Sequence, residues 1–113
     1  MSVLIEAEIH GLAGRAGELR ELLAEHVGRL AEADGSLGAS AFAPVDADAG
    51  SFVLQSWWND EDALRAHYAS PVYARYVQLV GELLARPSDV RVHYVERSVR
   101  ATADPSNDPA RQG

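Results

Sequence analysis

The sequence predicts an α+β protein: one four-stranded antiparallel sheet with helices on a single face, in the order strand, helix, strand, strand, helix, strand. Three observations carry that prediction. Val3 to His10 and Ser51 to Trp58 alternate their side chains at the two-residue period of a half-buried strand. Between Arg15 and Ala33 apolar residues recur at three and four, as an amphipathic helix requires. A turn-rich link, Pro44 to Gly50, joins two short strand-like runs as a hairpin.

The elements follow in order. In the first strand Val3, Ile5, Ala7 and Ile9 face one way, and Leu4, Glu6, Glu8 and His10 the other. Gly11 and Gly14 mark a turn into the first helix, whose apolar stripe runs through Leu19, Leu22, Leu23, His26, Val27, Leu30 and Ala33 until Asp34-Gly35 ends it. Leu37 to Ala43 and Ser51 to Trp58 are the hairpin strands. Asn59 or Asp60 can accept the free N–H groups of the second helix, with Trp58 packing back as a hydrophobic staple. That helix splits in two, because Ser70-Pro71 caps and restarts it. Val72, Tyr73, Tyr76, Val80, Leu83 and Leu84 make the apolar face of the second piece, and Pro87 is expected to stop it. Val90, Val92 and Tyr94 alternate with Arg91, His93 and Val95 in the last strand. Residues 1–98 form one domain, and the polar tail 99–113, without a large apolar residue from Ala101 on, is expected to be disordered.

Two crossover helices on one face of such a sheet give the ferredoxin-like arrangement. Its other face would carry Leu4, Phe42, Gln55, Trp57 and Val95 among Glu6, Glu8, His10, Arg91 and His93. A surface so mixed suits a two-fold contact with a second copy, hence an expected homodimer.

Composition removes several functions. With no cysteine there is no disulfide, thiolate nucleophile or Cys-ligated metal. A net charge of −7 with 10 basic residues repels nucleic acid and anionic lipid. No apolar run reaches the roughly 20 residues that span a bilayer, nor does a basic leader precede a hydrophobic one, so the cytoplasm is the expected compartment. Glu6, Glu8, His10, Arg91 and His93 could in principle gather on a cation, but cross-strand pairing of Glu8 with Arg91 or Glu6 with His93 explains them better. Asp46 to Gly50 fails as a calcium loop because Trp57 stands where a glutamate is needed. No phosphate-binding glycine loop or serine nucleophile elbow is present.

The richest segment is the strand ending Trp57-Trp58 and turning through Asn59-Asp60-Glu61-Asp62-Ala63-Leu64-Arg65-Ala66-His67. Indole is bulky with a single N–H, suited to a core plug or an aromatic wall. Imidazole is the side chain best placed for proton transfer near neutrality. Together with the Gly14 turn, the Asp34-Gly35-Ser36-Leu37-Gly38 link and Ser70-Pro71, this segment resembles the antibiotic biosynthesis monooxygenase family over about Val3 to Glu96. The resemblance implies a ferredoxin-like protomer paired into a dimeric α+β barrel. The family includes cofactor-independent oxygenases of aromatic polyketides or quinols, heme-degrading oxygenases and proteins of other activity.

Carried over residue by residue, the resemblance makes Trp58 a wall of the substrate cavity, on the same strand face as Phe52, Leu54 and Ser56. His67 matches a histidine common at this helix end. Leu54 stands where polyketide oxygenases place an asparagine. The heme-degrading branch places an asparagine near Ala7 and an axial histidine near Val77, which argues against heme. The expected site is therefore Trp58, Leu54, Tyr73 and Tyr76 for binding, with His67 or His26 as base. The expected activity is cofactor-free monooxygenation of an aromatic polyketide or quinol-like molecule by dioxygen, with no metal. A non-catalytic binding or stress-response module, and an isomerase or cyclase using the same pocket, stay open as alternatives.

Overall fold

In the computed structural model, which describes residues 1–102, the chain forms β1 (Ser2–His10), α1 (Ala16–Glu32), β2 (Ser36–Phe42), β3 (Ser51–Trp58), α2 (Glu61–Tyr68), α3 (Pro71–Gly81) and β4 (Asp89–Val95). The strands lie in the order β2-β3-β1-β4 with every neighbouring pair antiparallel. This is the ferredoxin-like topology expected. The disorder expected of the tail falls mostly on residues 103–113, outside the described residues.

Strand parity places the core. Val3, Ile5 and Ile9 of β1 stand opposite Trp58, Ser56 and Phe52 of β3, and Ala7 stands opposite Leu54. These residues meet Leu19, Leu23, His26 and Leu30 of α1, and the core also takes in Leu64 of α2 and Val80 of α3. Removing such side chains from water supplies most of the driving force, about 1.5–3 kcal/mol for each large one. Leu4, Glu6, Gln55, Trp57 and His93 take the opposite parity, on the face without helices. There Glu6 Oε1 lies 2.8 Å from His93 Nε2 and its other carboxylate oxygen accepts from Gln55 at 3.2 Å. Glu8 does not meet Arg91; register sets Glu6 opposite Arg91 and Glu8 opposite Asp89.

Caps fix where the helices begin. The extended Asp60 accepts from Ala63 N at 2.8 Å, and Ser70 accepts from Tyr73 N at 3.3 Å while donating to the His67 carbonyl at 2.6 Å. Ser70 thereby ends α2 and starts α3 with one hydroxyl. The α3 helix stops at Gly81, earlier than the Pro87 expected from sequence. The reason is tertiary. Leu12 N donates to Leu83 O and Ala85 N to His10 O, both at 2.8 Å, so this backbone satisfies its polar groups on the end of β1 instead of in another helical turn.

Gly35, at φ +78, turns the chain from α1 into β2, and its carbonyl accepts from Asn59 N at 2.8 Å. A Cβ on it would sit 2.4 Å from Ala63 Cβ in α2. Gly14 has a similar φ of +80 but open space around it. Gly14→Ala should therefore cost only the left-handed backbone penalty, about 1–2 kcal/mol. Gly35→Ala should cost that plus about 1–3 kcal/mol of overpacking between the turn after α1 and Ala63 of α2. Urea unfolding of the two variants measures the difference, and equal losses would contradict the close approach.

Candidate active site

A cavity of about 180 Å³ lies between the sheet and the helices. Ile5 and Ala7 of β1, Leu54 and Ser56 of β3, and Val90 of β4 form its floor. His26 and Leu30 of α1 close one end, and α2 and α3 cover it with Leu64, His67, Tyr68, Tyr73, Tyr76 and Val77. Tyr68, Val77 and Val90 are 41%, 47% and 52% exposed, so the cavity opens on the side where β4 runs past α3.

The lining contains no Asp, Glu, Lys or Arg. Its polar groups are two imidazoles, three phenols and the hydroxyls of Ser56 and Ser88. The rings pack in a connected series. His67 stacks on Trp58 with centroids 4.8 Å apart and planes 26° off parallel. His26 lies flat on Tyr76, at 3.8 Å and 4°. The two imidazoles are 6.2 Å apart, and Tyr73 points edge-on at His67 from 5.4 Å. Tyr68 in turn sits edge-on to Tyr73 at 4.9 Å.

This packing sets the charge states. Burial, then the neighbouring His67 and Arg29, lowers the His26 pKa from 6.5 to about 4. Burial lowers that of His67 as well. At neutral pH both rings are therefore uncharged, and an uncharged imidazole has a nitrogen able to accept a proton. Burial, then Tyr73, pushes the Tyr76 phenol up to about 12, and the same causes in the same order raise Tyr68. These hydroxyls stay protonated and are able to donate hydrogen bonds.

Of the residues singled out from sequence, His26, His67, Tyr73, Tyr76 and Leu54 all line this one cavity. Trp58 does not. It is fully buried, donates its indole N–H to Ser56 Oγ at 3.0 Å, and backs His67 from behind. Trp58 is a core plug that positions an imidazole, where the resemblance implied a cavity wall. Ala7 and Val77, the positions considered for heme binding, both line the cavity and bring no donor atom. Among the described residues no three His, Asp or Glu side chains gather as a metal centre would.

Tyr68, Ser56 and Ser88 were not singled out from sequence as site residues. Ser56 carried a signal, a hydroxyl on the buried parity of β3 between Leu54 and Trp58. Tyr68 ends α2 beside His67 and had none, because its direction depends on the break before Ser70.

Comparison with known proteins agrees with the fold. The family model described as "Antibiotic biosynthesis monooxygenase" matches residues 2–79. Rv0793 from Mycobacterium tuberculosis superposes with a TM-score of 0.80 at 28% identity, over 88% of this chain and 100% of that one. SnoaB from Streptomyces nogalater, a cofactor-independent oxygenase, gives 0.76 at 19% identity, over 88% and 98% of the two chains. A conserved protein from Methanosarcina mazei gives 0.76 at 14% identity, over 82% and 91%. No curated protein matches the sequence.

The shift at His26 sets a direction for stability. Its folded pKa of about 4 lies below the value of 6.5 expected when unfolded, so the unfolded chain binds protons first as pH falls. Stability should be full above pH 6.5 and decline through the window down to about 4, by up to ~3 kcal/mol from this group. His67 adds loss in the same direction. His26→Phe should flatten the decline in urea titrations run between pH 7 and 4; an unaltered slope would mean that His26 is not buried neutral.

Proposed function

The chain belongs to the antibiotic biosynthesis monooxygenase family, and on that premise we propose that it is a cytoplasmic monooxygenase working without flavin or metal on a planar aromatic polyketide or quinol-like molecule. The observation that supports this most is the composition of the cavity. Apolar walls and phenols surround two uncharged imidazoles, and no carboxylate lines the cavity with them.

Such a site suits a substrate that carries its own reducing power. His67 or His26 takes a proton from a phenol or anthrone, and the resulting anion is electron-rich enough to reduce dioxygen directly. For an anthrone the carbon–hydrogen bonds of one methylene are replaced by a carbonyl. One oxygen atom enters the product and the other leaves as water, which takes up a proton in place of the one that imidazole removed. The protein supplies orientation, a dry surrounding and the base. Tyr73 and Tyr76 donate hydrogen bonds to ring oxygens, Leu54 packs against the ring face, and Trp58 acts from behind by fixing the plane of His67.

The resemblance to dimeric relatives and the makeup of the open sheet face support a homodimer. Leu4, Trp57 and Val95 are half-buried there and Phe42 is 45% exposed, beside Glu6 and His93. Light scattering at micromolar concentration should give twice the 12.2 kDa of one chain, and a monomer mass would sink the pairing.

The activity is tested by oxygen uptake with a hydroxyanthrone in protein shown to be free of flavin and metal. Uptake should be stoichiometric with quinone formed. His67→Gln, which keeps the volume but removes the base, should lower the rate by about 10²–10⁴, the usual worth of a general base. No uptake in the native protein would favour the binding module. Turnover without uptake would favour an isomerase or cyclase. Uptake unchanged in His67→Gln would leave His26, or the substrate alone, to move the proton.

A further inference from the structure

His67 belongs to the walls of two cavities. On one side it closes the chamber just described; on the other it borders a groove of about 380 Å³ between the end of α1 and the α2–α3 junction. The groove is lined by Arg29, Glu32 and Asp34 from α1 and the turn after it, and by Ala66, Ser70 and Val72 opposite. Arg29 holds Glu25 at 3.0 Å, which leaves Glu32 and Asp34 as the carboxylates lining the groove.

The two sides of His67 differ in what can carry a proton. The substrate opening is bordered by Val77 and Val90 and by Tyr68, whose phenol is held above its usual range by burial and by Tyr73. Nothing there titrates near neutrality. A bound aromatic ring would also plug that opening and keep water out. The groove side has carboxylates, a serine hydroxyl and room for several waters.

We propose that His67 passes the substrate's proton through the wall: it accepts the proton from the chamber on one ring nitrogen and releases the proton on its other nitrogen to water in the groove between α1 and α2. The substrate O–H or C–H bond breaks and an N–H forms. The second N–H then breaks, and the proton passes by water to Glu32, Asp34 or bulk buffer. His67 ends uncharged and ready for the next cycle once the substrate anion, sealed in the chamber, has reacted with dioxygen. Trp58 stacked behind the ring and Tyr73 at its edge hold it in the wall. The other charged or titratable groups around it are His26, 6.2 Å away, Tyr68, at 5.9 Å, and Arg29 across the groove. This rests on the reading of His67 as base, so the test includes a measurement that does not require turnover.

Ala66 lines the groove and not the chamber, so Ala66→Phe fills the groove without touching the substrate side. The first readout is hydrogen–deuterium exchange at C2 of each imidazole in the full chain, followed by mass spectrometry. It needs no substrate and reports each ring's access to solvent. Ala66→Phe should slow His67 severalfold and leave His10 and His93 unchanged, which also shows that the fold is intact; Ala66→Leu should give an intermediate value. The second readout is oxygen uptake with a hydroxyanthrone, where kcat should fall severalfold at unchanged KM. Unchanged His67 exchange in Ala66→Phe, or slowed exchange with unchanged kcat, overturns the route through the groove. If the native protein shows no uptake, the oxygenase reading fails by itself and the exchange result alone decides whether His67 reaches the groove.

Discussion

Burial of two imidazoles with no carboxylate hydrogen-bonded to either is the constraint on which the rest of the site depends. His26 and His67 are 4% and 8% exposed, and their partners are rings: Tyr76 lies flat on one and Trp58 on the other. A carboxylate at hydrogen-bond distance would have favoured the charged form and raised the pKa. Aromatic faces give packing without that bias, so desolvation prevails and the rings stay neutral. The fold supplies this by making four different elements, β3, α1, α2 and α3, bring rings to the same place.

That arrangement uses some core for function. A neutral imidazole in the interior gains dispersion contacts but leaves its polar nitrogens to be satisfied, and burying such groups without partners costs a few kcal/mol. The 180 Å³ chamber lets water or a ligand reach them. Trp58 offsets the looseness, since its indole is fully buried and its one donor is satisfied by Ser56. The substrate side is therefore adaptable while the wall behind His67 is rigid, which is the division a positioned base requires.

The fold was legible because its signals are local and agree with one another. Alternation in β1 and β3, the leucine stripe of α1, and the caps Asp60 and Ser70 each specify one element, and the element order leaves few topologies. The end of α3 was not legible. Leu83 and Leu84 continue a helical pattern, and only the pairing of their backbone with His10, Gly11 and Leu12 shows why the helix gives way. Long-range hydrogen bonds of that kind leave no trace in a periodicity. Parity showed that Trp58 faces the helices, but the depth of the side chain depends on Ser56 accepting its N–H, so wall and plug were indistinguishable from sequence. Periodicity put His26, Tyr73 and Tyr76 on apolar helix faces, while His67 was marked by the resemblance and by imidazole's suitability for proton transfer. Tyr68 at the chamber opening did not, because it lies at a helix break where periodicity ends.

The central claim is that an uncharged imidazole of this cavity takes a proton from an aromatic ligand. Nitrogen-15 NMR of the histidine rings at pH 7, with and without an acidic planar hydroxyquinone, tests it directly. Both His26 and His67 should be neutral in the free protein, and one of them, His67 by this account, should become imidazolium when the ligand binds as its anion. Rings already charged in the free protein, or rings that both stay neutral while the bound ligand is ionised, would contradict it.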